Sequence, residues 1–225
     1  MLNITNEDNM ALMARYPDKF FYLAIVDPPY SALSQKGSPS SRYNRAKKVN
    51  ILCQKWDVIP EEAYFSELKR ISKKHIIFGA NYFPLSQPDF TIVLDKKNKL
   101  NLLNDAEIAF GYVENGYKNS GVRCFYFSVI TDWEDGKRIH PTQKPVALYK
   151  WLLSKYAKPG QKILDTHLGS GSIAIACLDL GFELTACEID REYFDKAMSL
   201  IKGHEAQASL FEKKEIQELL FGGEK

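Results

Sequence analysis

Leu23-Ala24-Ile25-Val26-Asp27-Pro28-Pro29-Tyr30 is an apolar run rich in strand formers that stops at an acid, two prolines and an aromatic ring. Consecutive prolines cannot continue a sheet ladder, so the strand ends there. In open α/β sheets, ligands bind at the carboxyl ends of the strands. A carboxylate, a rigid turn with free carbonyls and a flat ring together suit a planar group that bears an amine.

Working outward, the chain reads as alternating strands and helices. Ile4 opens a short apolar start, and Met10, Leu12, Met13 and Tyr16 give a helical pattern that Pro17 stops. Beyond Tyr30, Pro60 suits a first helical position, and Tyr64, Phe65, Leu68 and Ile71 form a helical stripe. His75 to Gly79 reads as a strand, and Asn81 and Tyr82 after its end are expected to line a pocket. From Phe90 to Phe127, three strand-like runs (91–94, 107–113, 122–129) without a helix between them predict at least one antiparallel pairing. A helix is expected from about Pro145 to Pro159-Gly160. The last third is βαβα: strand 162–165, helix Ser172 to Leu180 capped by Gly181, strand Leu184 to Glu188, and a helix with Asp190 as N-cap. A separate amphipathic helix is expected from Glu205.

The 225 residues, 45% hydrophobic and 26% charged, suit one α/β domain over 1–225. No signal peptide and no bilayer-length apolar run is present, so a cytoplasmic protein without a membrane partner is expected. The four cysteines (Cys53, Cys124, Cys177, Cys187) lack metal-ligand spacing and read as reduced core thiols. His75 reads as a core residue and His204 as solvent-facing.

A net charge of +2 does not argue for nucleic acid, but its distribution does more. Lys36, Arg42, Arg45, Lys47 and Lys48 occur with no acid among them, in a loop at about 31–56. Composition alone suggests a solvated loop; its place after a candidate site suits a DNA phosphate backbone.

Gly169-Ser170-Gly171-Ser172-Ile173-Ala174 fits a dinucleotide-binding turn, with Glu188 placed as a ribose-binding acid. A nicotinamide oxidoreductase is therefore a competing reading, as is a non-catalytic DNA-binding module. Against the former, Thr166, His167 and Leu168 separate Asp165 from the first glycine, and a dinucleotide turn is tighter. A longer loop that begins with an acid suits a cofactor without a pyrophosphate.

These motifs together resemble the S-adenosyl-L-methionine-dependent DNA amino-methyltransferases that modify adenine N6 or cytosine N4. Asp27-Pro28-Pro29-Tyr30 matches the family's catalytic motif, and His140-Pro141-Thr142-Gln143-Lys144-Pro145 the segment before its cofactor pocket. Asp165 to Gly171 is similar to its cofactor loop, with Thr166 and His167 where proline and phenylalanine are usual. The motif order is that of the permuted β-type arrangement. The resemblance implies a doubly wound, mostly parallel Rossmann-like sheet with one antiparallel excursion. It also implies Asp27, Pro28, Pro29 and Tyr30 as catalytic. Around the cofactor it places Asp8 on the adenine amine, Glu188 on the ribose, Gly169, Ser170 and Gly171 on the methionine part, and Thr142 and Lys144 near its carboxylate. Asp165 belongs to that loop, and His167 is expected to offer a ring face.

The chemistry of these residues agrees. An exocyclic amine is a poor nucleophile because its lone pair is delocalised into the ring. Asp27 and the Pro28 carbonyl can each accept one of its N–H groups, and Tyr30 can stack on a base extruded from the duplex. The resemblance implies adenine, since an acid at the first motif position is commoner in the family's adenine enzymes, with cytosine N4 open. The region at about 95–135 is short for target recognition, so specificity rests on the basic loop, on a homodimer partner, or is relaxed. A cognate restriction endonuclease is open as a further partner.

Overall fold

The computed structural model describes residues 1–30, 58–97, 105–116, 121–127, 140 and 143–221, with side chains as far as 208. Eight strands form one sheet: β1 (Leu2–Thr5), β2 (Phe21–Val26), β3 (Ser72–Phe78), β4 (Phe90–Asp95), β5 (Ala106–Val113), β6 (Val122–Tyr126), β7 (Lys162–Asp165) and β8 (Glu183–Cys187). Their spatial order is β1-β8-β7-β2-β3-β5-β4-β6. The helices are α1 (Asn9–Met13), α2 (Glu62–Ile71), α3 (Val146–Tyr156), α4 (Ser172–Leu180) and α5 (Arg191–Phe221).

The five strands β1, β8, β7, β2 and β3 are mutually parallel, while β5 runs antiparallel to both β3 and β4, and β4 is parallel to β6. This is the expected mostly parallel sheet with its antiparallel excursion. Register aligns the carboxyl ends: Ala24 pairs with Leu164 and His75, Asp165 with Ala186, and Cys187 with Thr5. Asp27, Asp165, Glu188 and the Glu7-Asp8 pair therefore leave the sheet along one edge.

Alternation along the strands builds two cores. Leu23, Ile25, Ile76 and Phe78 face Leu148 and Leu152 of α3, Ile173 and Cys177 of α4, and Ala197 and Ile201 of α5. Ala24, Val26 and Ile77 face Leu12 and Met13 of α1 and Tyr64 and Leu68 of α2. Helices thus cover both faces, which explains why β2 reads as a continuous apolar run.

Local signals set the helix ends. Asp8 caps α1, its Oδ1 accepting from Met10 N at 2.9 Å and Ala11 N at 3.1 Å. Helix α2 carries Glu62 in its first turn and Lys69 and Arg70 in its last, as the dipole favours. The Arg70 guanidinium ties the two helices, donating to Tyr16 O at 2.9 Å and Met13 O at 3.3 Å. Gly181, at φ +71°, ends α4. Asp190 Oδ1 accepts from Glu192 N and Tyr193 N at 2.9 and 3.1 Å, the expected N-cap of α5.

Several expectations shift. Pro60 stands two residues before α2, whose N-cap is Glu61, and β3 starts at Ser72 directly on the end of α2. Helix α1 ends at Met13, and the β8 strand runs from Glu183 to Cys187, leaving Glu188 beyond it. The two helices expected near the C-terminus are one, because Gly203 sits among good helix formers and costs only about 1 kcal/mol. Cys177 and Cys187 are buried, but Cys124 is exposed on β6, at the sheet's edge, so it is no core thiol. His204 is half-buried and bonds Asp179 at 2.6 Å. No helix among the described residues is long and apolar enough to cross a membrane.

Candidate active site

Strand β2 delivers Asp27 to the carboxyl edge, and Pro28 and Pro29 end the ladder there. The Asp27 side chain is 14% exposed, and its Oδ2 accepts from the ammonium of Lys144. Its Oδ1 is buried and has no hydrogen-bond partner among the described residues. Lys144, 3% exposed, also lies 3.4 Å from Glu107 Oε2 and 4.6 Å from the centroid of the Phe78 ring. Glu107 Oε1 in turn pairs with Lys96 at 2.5 Å.

Four charges of alternating sign thus lie in a row. Burial raises the Asp27 carboxyl above its ordinary range, and Lys144 offsets part of that rise. Burial works against the Lys144 charge, but Asp27 and Glu107 outweigh it and hold the ammonium protonated. Burial likewise opposes the Glu107 charge, and Lys144 and Lys96 outweigh it. Sequence reasoning placed Lys144 at a cofactor carboxylate; in the structure it sits on Asp27 and Glu107. Glu107 was missed altogether, although an acid within Ala106-Glu107-Ile108-Ala109-Phe110 was the available signal.

Tyr30 packs against the backbone of Gly79. That glycine has φ +63°, and a Cβ on it would lie 2.4 Å from Tyr30 Cδ1. Tyr82, from the 3-10 turn Ala80–Tyr82, stacks on Tyr30 with centroids 4.9 Å apart. Asn81 and Tyr82, expected to line a pocket, are both exposed and neither lines the cavity described below, although Tyr82 stacks on Tyr30. Burial raises the Tyr30 hydroxyl far above its ordinary range, so the ring stays neutral.

On the other side of β2, Asp165 is buried and its Oδ1 accepts from His167 N at 2.9 Å. Burial pushes its carboxyl up to about 8. Gly169 and Gly171 take φ +54° and +79°, which favours glycine, and the loop turns back on itself. The Gly169 N–H donates to Glu188 Oε2 at 2.8 Å, and Asp190 N–H to Glu188 Oε1 at 3.0 Å. Each carboxylate oxygen keeps a lone pair for a ligand hydroxyl. Burial raises the Glu188 carboxyl against the pull of those two amides. Ser170 is buried, its Oγ 3.0 Å from that of Ser172.

His167 is partly buried and neutral, its imidazolium form pushed down to about 3 by desolvation. Asn9 Nδ2 donates to its Nε2 at 3.0 Å, which places the ring proton on Nδ1, 3.0 Å from Thr166 Oγ1. Thr166 continues to the Tyr64 hydroxyl at 2.7 Å. The residue pair that departs from the family's usual proline and phenylalanine is thus tied into a polar chain.

A cavity of about 380 Å³ opens between these elements, lined among others by Asp8, Asn9, Pro29, Tyr64, His167 and Glu188. Its size is that of small-molecule sites. Asp8, Glu188 and His167 were expected there; Asn9 and Tyr64 were not, since each reads in sequence as an ordinary helix residue. Gly169 and Gly171 are not part of this wall among the described residues, and Gly169 acts on it through Glu188. Thr142 and the basic residues Lys36, Arg42, Arg45, Lys47 and Lys48 lie outside the described residues.

Comparison with known proteins gives matches in both sequence and fold. The sequence model of the N6/N4 DNA methylase family matches residues 42–199, which include Lys144, the glycine loop and Glu188, while Asp27 to Tyr30 precede the matched stretch. The type II methyltransferase M.HpaI of Haemophilus parainfluenzae is 32% identical over 71 residues, 32% of this chain and 23% of that protein. The chain spans under a third of the length of the curated relatives that it matches. The structure of the M1.HpyAVI–SAM complex superposes with a TM-score of 0.57 at 20% identity, covering 88% of this chain and 98% of that one. The cytosine-N4-specific PvuII DNA methyltransferase gives 0.59 at 12% identity, covering 88% and 85%. At such identities the structural likeness establishes the fold, and the sequence match carries the relationship. With that match extending over most of its length, the chain belongs to the N6/N4 DNA methylase family.

Proposed function

We propose that this chain transfers a methyl group from S-adenosyl-L-methionine to the exocyclic amine of a base extruded from DNA, with adenine N6 favoured over cytosine N4. The observation that carries the reading is Asp27 Oδ1, a buried acceptor without a partner among the described residues. Such an atom costs about 1–3 kcal/mol, and an amine N–H offers the missing bond. Pro29, two residues on, lines the cavity.

The cavity residues fit the cofactor. Asp8 spends only Oδ1 on capping α1, leaving Oδ2 for an adenine amine, and Glu188 retains a lone pair on each oxygen for ribose hydroxyls. When bound, the cofactor supplies an electrophilic methyl group on sulfonium sulfur. Asp27 Oδ1 and the Pro28 carbonyl hold the amine so that its lone pair is free for in-line attack, and Oδ1 is placed to take the proton released. Tyr30 carries the base on its ring. Lys36, Arg42, Arg45, Lys47 and Lys48 follow the phosphate backbone, which makes DNA affinity fall with salt.

The test is incubation of the chain with duplex DNA and methyl-labelled cofactor, then nucleoside analysis. Labelled N6-methyladenine is expected. Labelled N4-methylcytosine would move the assignment to the other base, and no labelled nucleoside would overturn the reading.

A further inference from the structure

We propose that Lys144 is a positioning residue for Asp27, setting a positive charge against its carboxylate and turning it so that Oδ1 faces the target amine, with Glu107 and Lys96 holding Lys144. The proposal rests on the methyl-transfer reading of the site. The arrangement on which it stands is geometric. Lys144 binds one Asp27 oxygen and leaves the other bare. A single strong donor on Oδ2 fixes the plane of the carboxylate and therefore the position of Oδ1.

The antiparallel strand explains how Glu107 reaches this point. Gly79 N donates to Ile108 O at 2.9 Å, and Phe78 pairs with Ala109. Because β5 runs against β3, its beginning lies at the carboxyl edge of the parallel strands. A parallel β5 would bring its opposite end there. Glu107 thus joins Lys96, beyond β4, to Lys144, which precedes α3, and the formal charges of Lys96, Glu107, Lys144 and Asp27 cancel.

Stability alone is a poor reason for such a row, since buried ion pairs recover little more than their desolvation cost. Among the described residues, the titratable groups that interact electrostatically with Asp27 include Lys144, Glu107, Lys96, Asp165 on β7, and the hydroxyls of Tyr30, Tyr64 on α2 and Tyr149 on α3. The three hydroxyls are held neutral by burial, so among the described residues Lys144 is the nearest cation opposing protonation of Asp27.

The experiment uses the whole chain with duplex DNA. It measures single-turnover transfer against pH, cofactor affinity by calorimetry, and the Asp27 carboxyl by carbon-13 NMR titration, assigned with Asp27→Asn. In Lys144→Met, the Asp27 titration and the acid limb of transfer should both rise by about one pH unit or more, so that at a fixed pH on that limb the rate falls roughly tenfold. Cofactor affinity should stay within about twofold, a margin worth well under one pKa unit. Lys144→Arg should restore the profile, and Glu107→Gln should move the limb the opposite way. If Lys144→Met does not fold, Lys144→Gln, which removes the charge but keeps a polar side chain in the buried site, serves in its place with the same expected direction. Weakened cofactor binding with the Asp27 titration unmoved would overturn the proposal and make Lys144 a cofactor contact. An equal loss of rate at every pH would overturn it in favour of a structural role. Absence of transfer by the wild-type chain would instead sink the methyl-transfer reading, while the NMR titration still reads the coupling of Lys144 to Asp27.

Discussion

The ring of Tyr30 occupies the space that a side chain on Gly79 would fill: a Cβ there would stand 2.4 Å from Tyr30 Cδ1. Gly79 also holds φ +63°, where an L side chain is strained by about 1–2 kcal/mol. Gly79→Ala should therefore displace the Tyr30 ring. Displacements of about 1 Å at a reacting centre cost roughly a hundredfold in rate. The expected result is a loss of that order in methyl transfer with cofactor affinity unchanged, read by single-turnover kinetics beside calorimetry.

Asp27 offers the bare oxygen on which the proposed chemistry turns. Asp27→Asn keeps the shape, removes the charge and leaves Lys144 paired with Glu107. Transfer should fall by about a hundredfold or more, as for loss of a group that handles a proton in the transition state. The Kd for S-adenosyl-L-methionine should barely change, since Asp27 lies outside the cavity wall among the described residues. Turnover close to wild type would refute the role.

Glu188 carries two duties at once, as the acceptor of two backbone amides and as part of the cavity wall. Glu188→Ala should weaken cofactor binding in calorimetry. It should also lower stability by about 1–3 kcal/mol, because the Gly169 and Asp190 N–H groups lose their acceptor. Glu188→Gln keeps one oxygen as an acceptor and should lie between. An unchanged cofactor Kd in the alanine variant would remove Glu188 from the site.

His75, His140 and His167 are held neutral by burial, with their imidazolium forms pushed down to about 4, 4 and 3. The unfolded chain protonates its histidines near 6.5, so between there and about 4 it binds more protons than the folded chain. Their contribution to stability is complete above pH 6.5 and is lost as pH falls toward 4. Urea denaturation at several pH values should show His167→Asn losing less on acidification than wild type. Asp165 acts with the opposite sign. Its carboxyl is raised from 3.8 to about 8, the folded chain keeps the extra proton across that window, and stability falls as pH rises through it. Asp165→Asn should flatten that fall.

The sequence by itself determined where the chemistry sits along the chain. The apolar run to Val26, its abrupt stop at Pro28 and Pro29, the βαβα order around Gly169 and the cap at Asp190 are local signals, and local periodicity and turn chemistry set them. The antiparallel excursion was legible for the same reason, from strand patterns without intervening helices. Tertiary structure alone decided who meets whom. Lys144 lies 117 residues from Asp27, and neither their pairing nor the direction of β5, which brings Glu107 to Lys144, is encoded in any window of sequence. Glu107 looked like a strand residue until that direction brought it to the carboxyl edge. Asp27 stands at the centre of both accounts: its place at a strand end is local, whereas the ammonium on one oxygen and the bare second oxygen are products of packing across the fold.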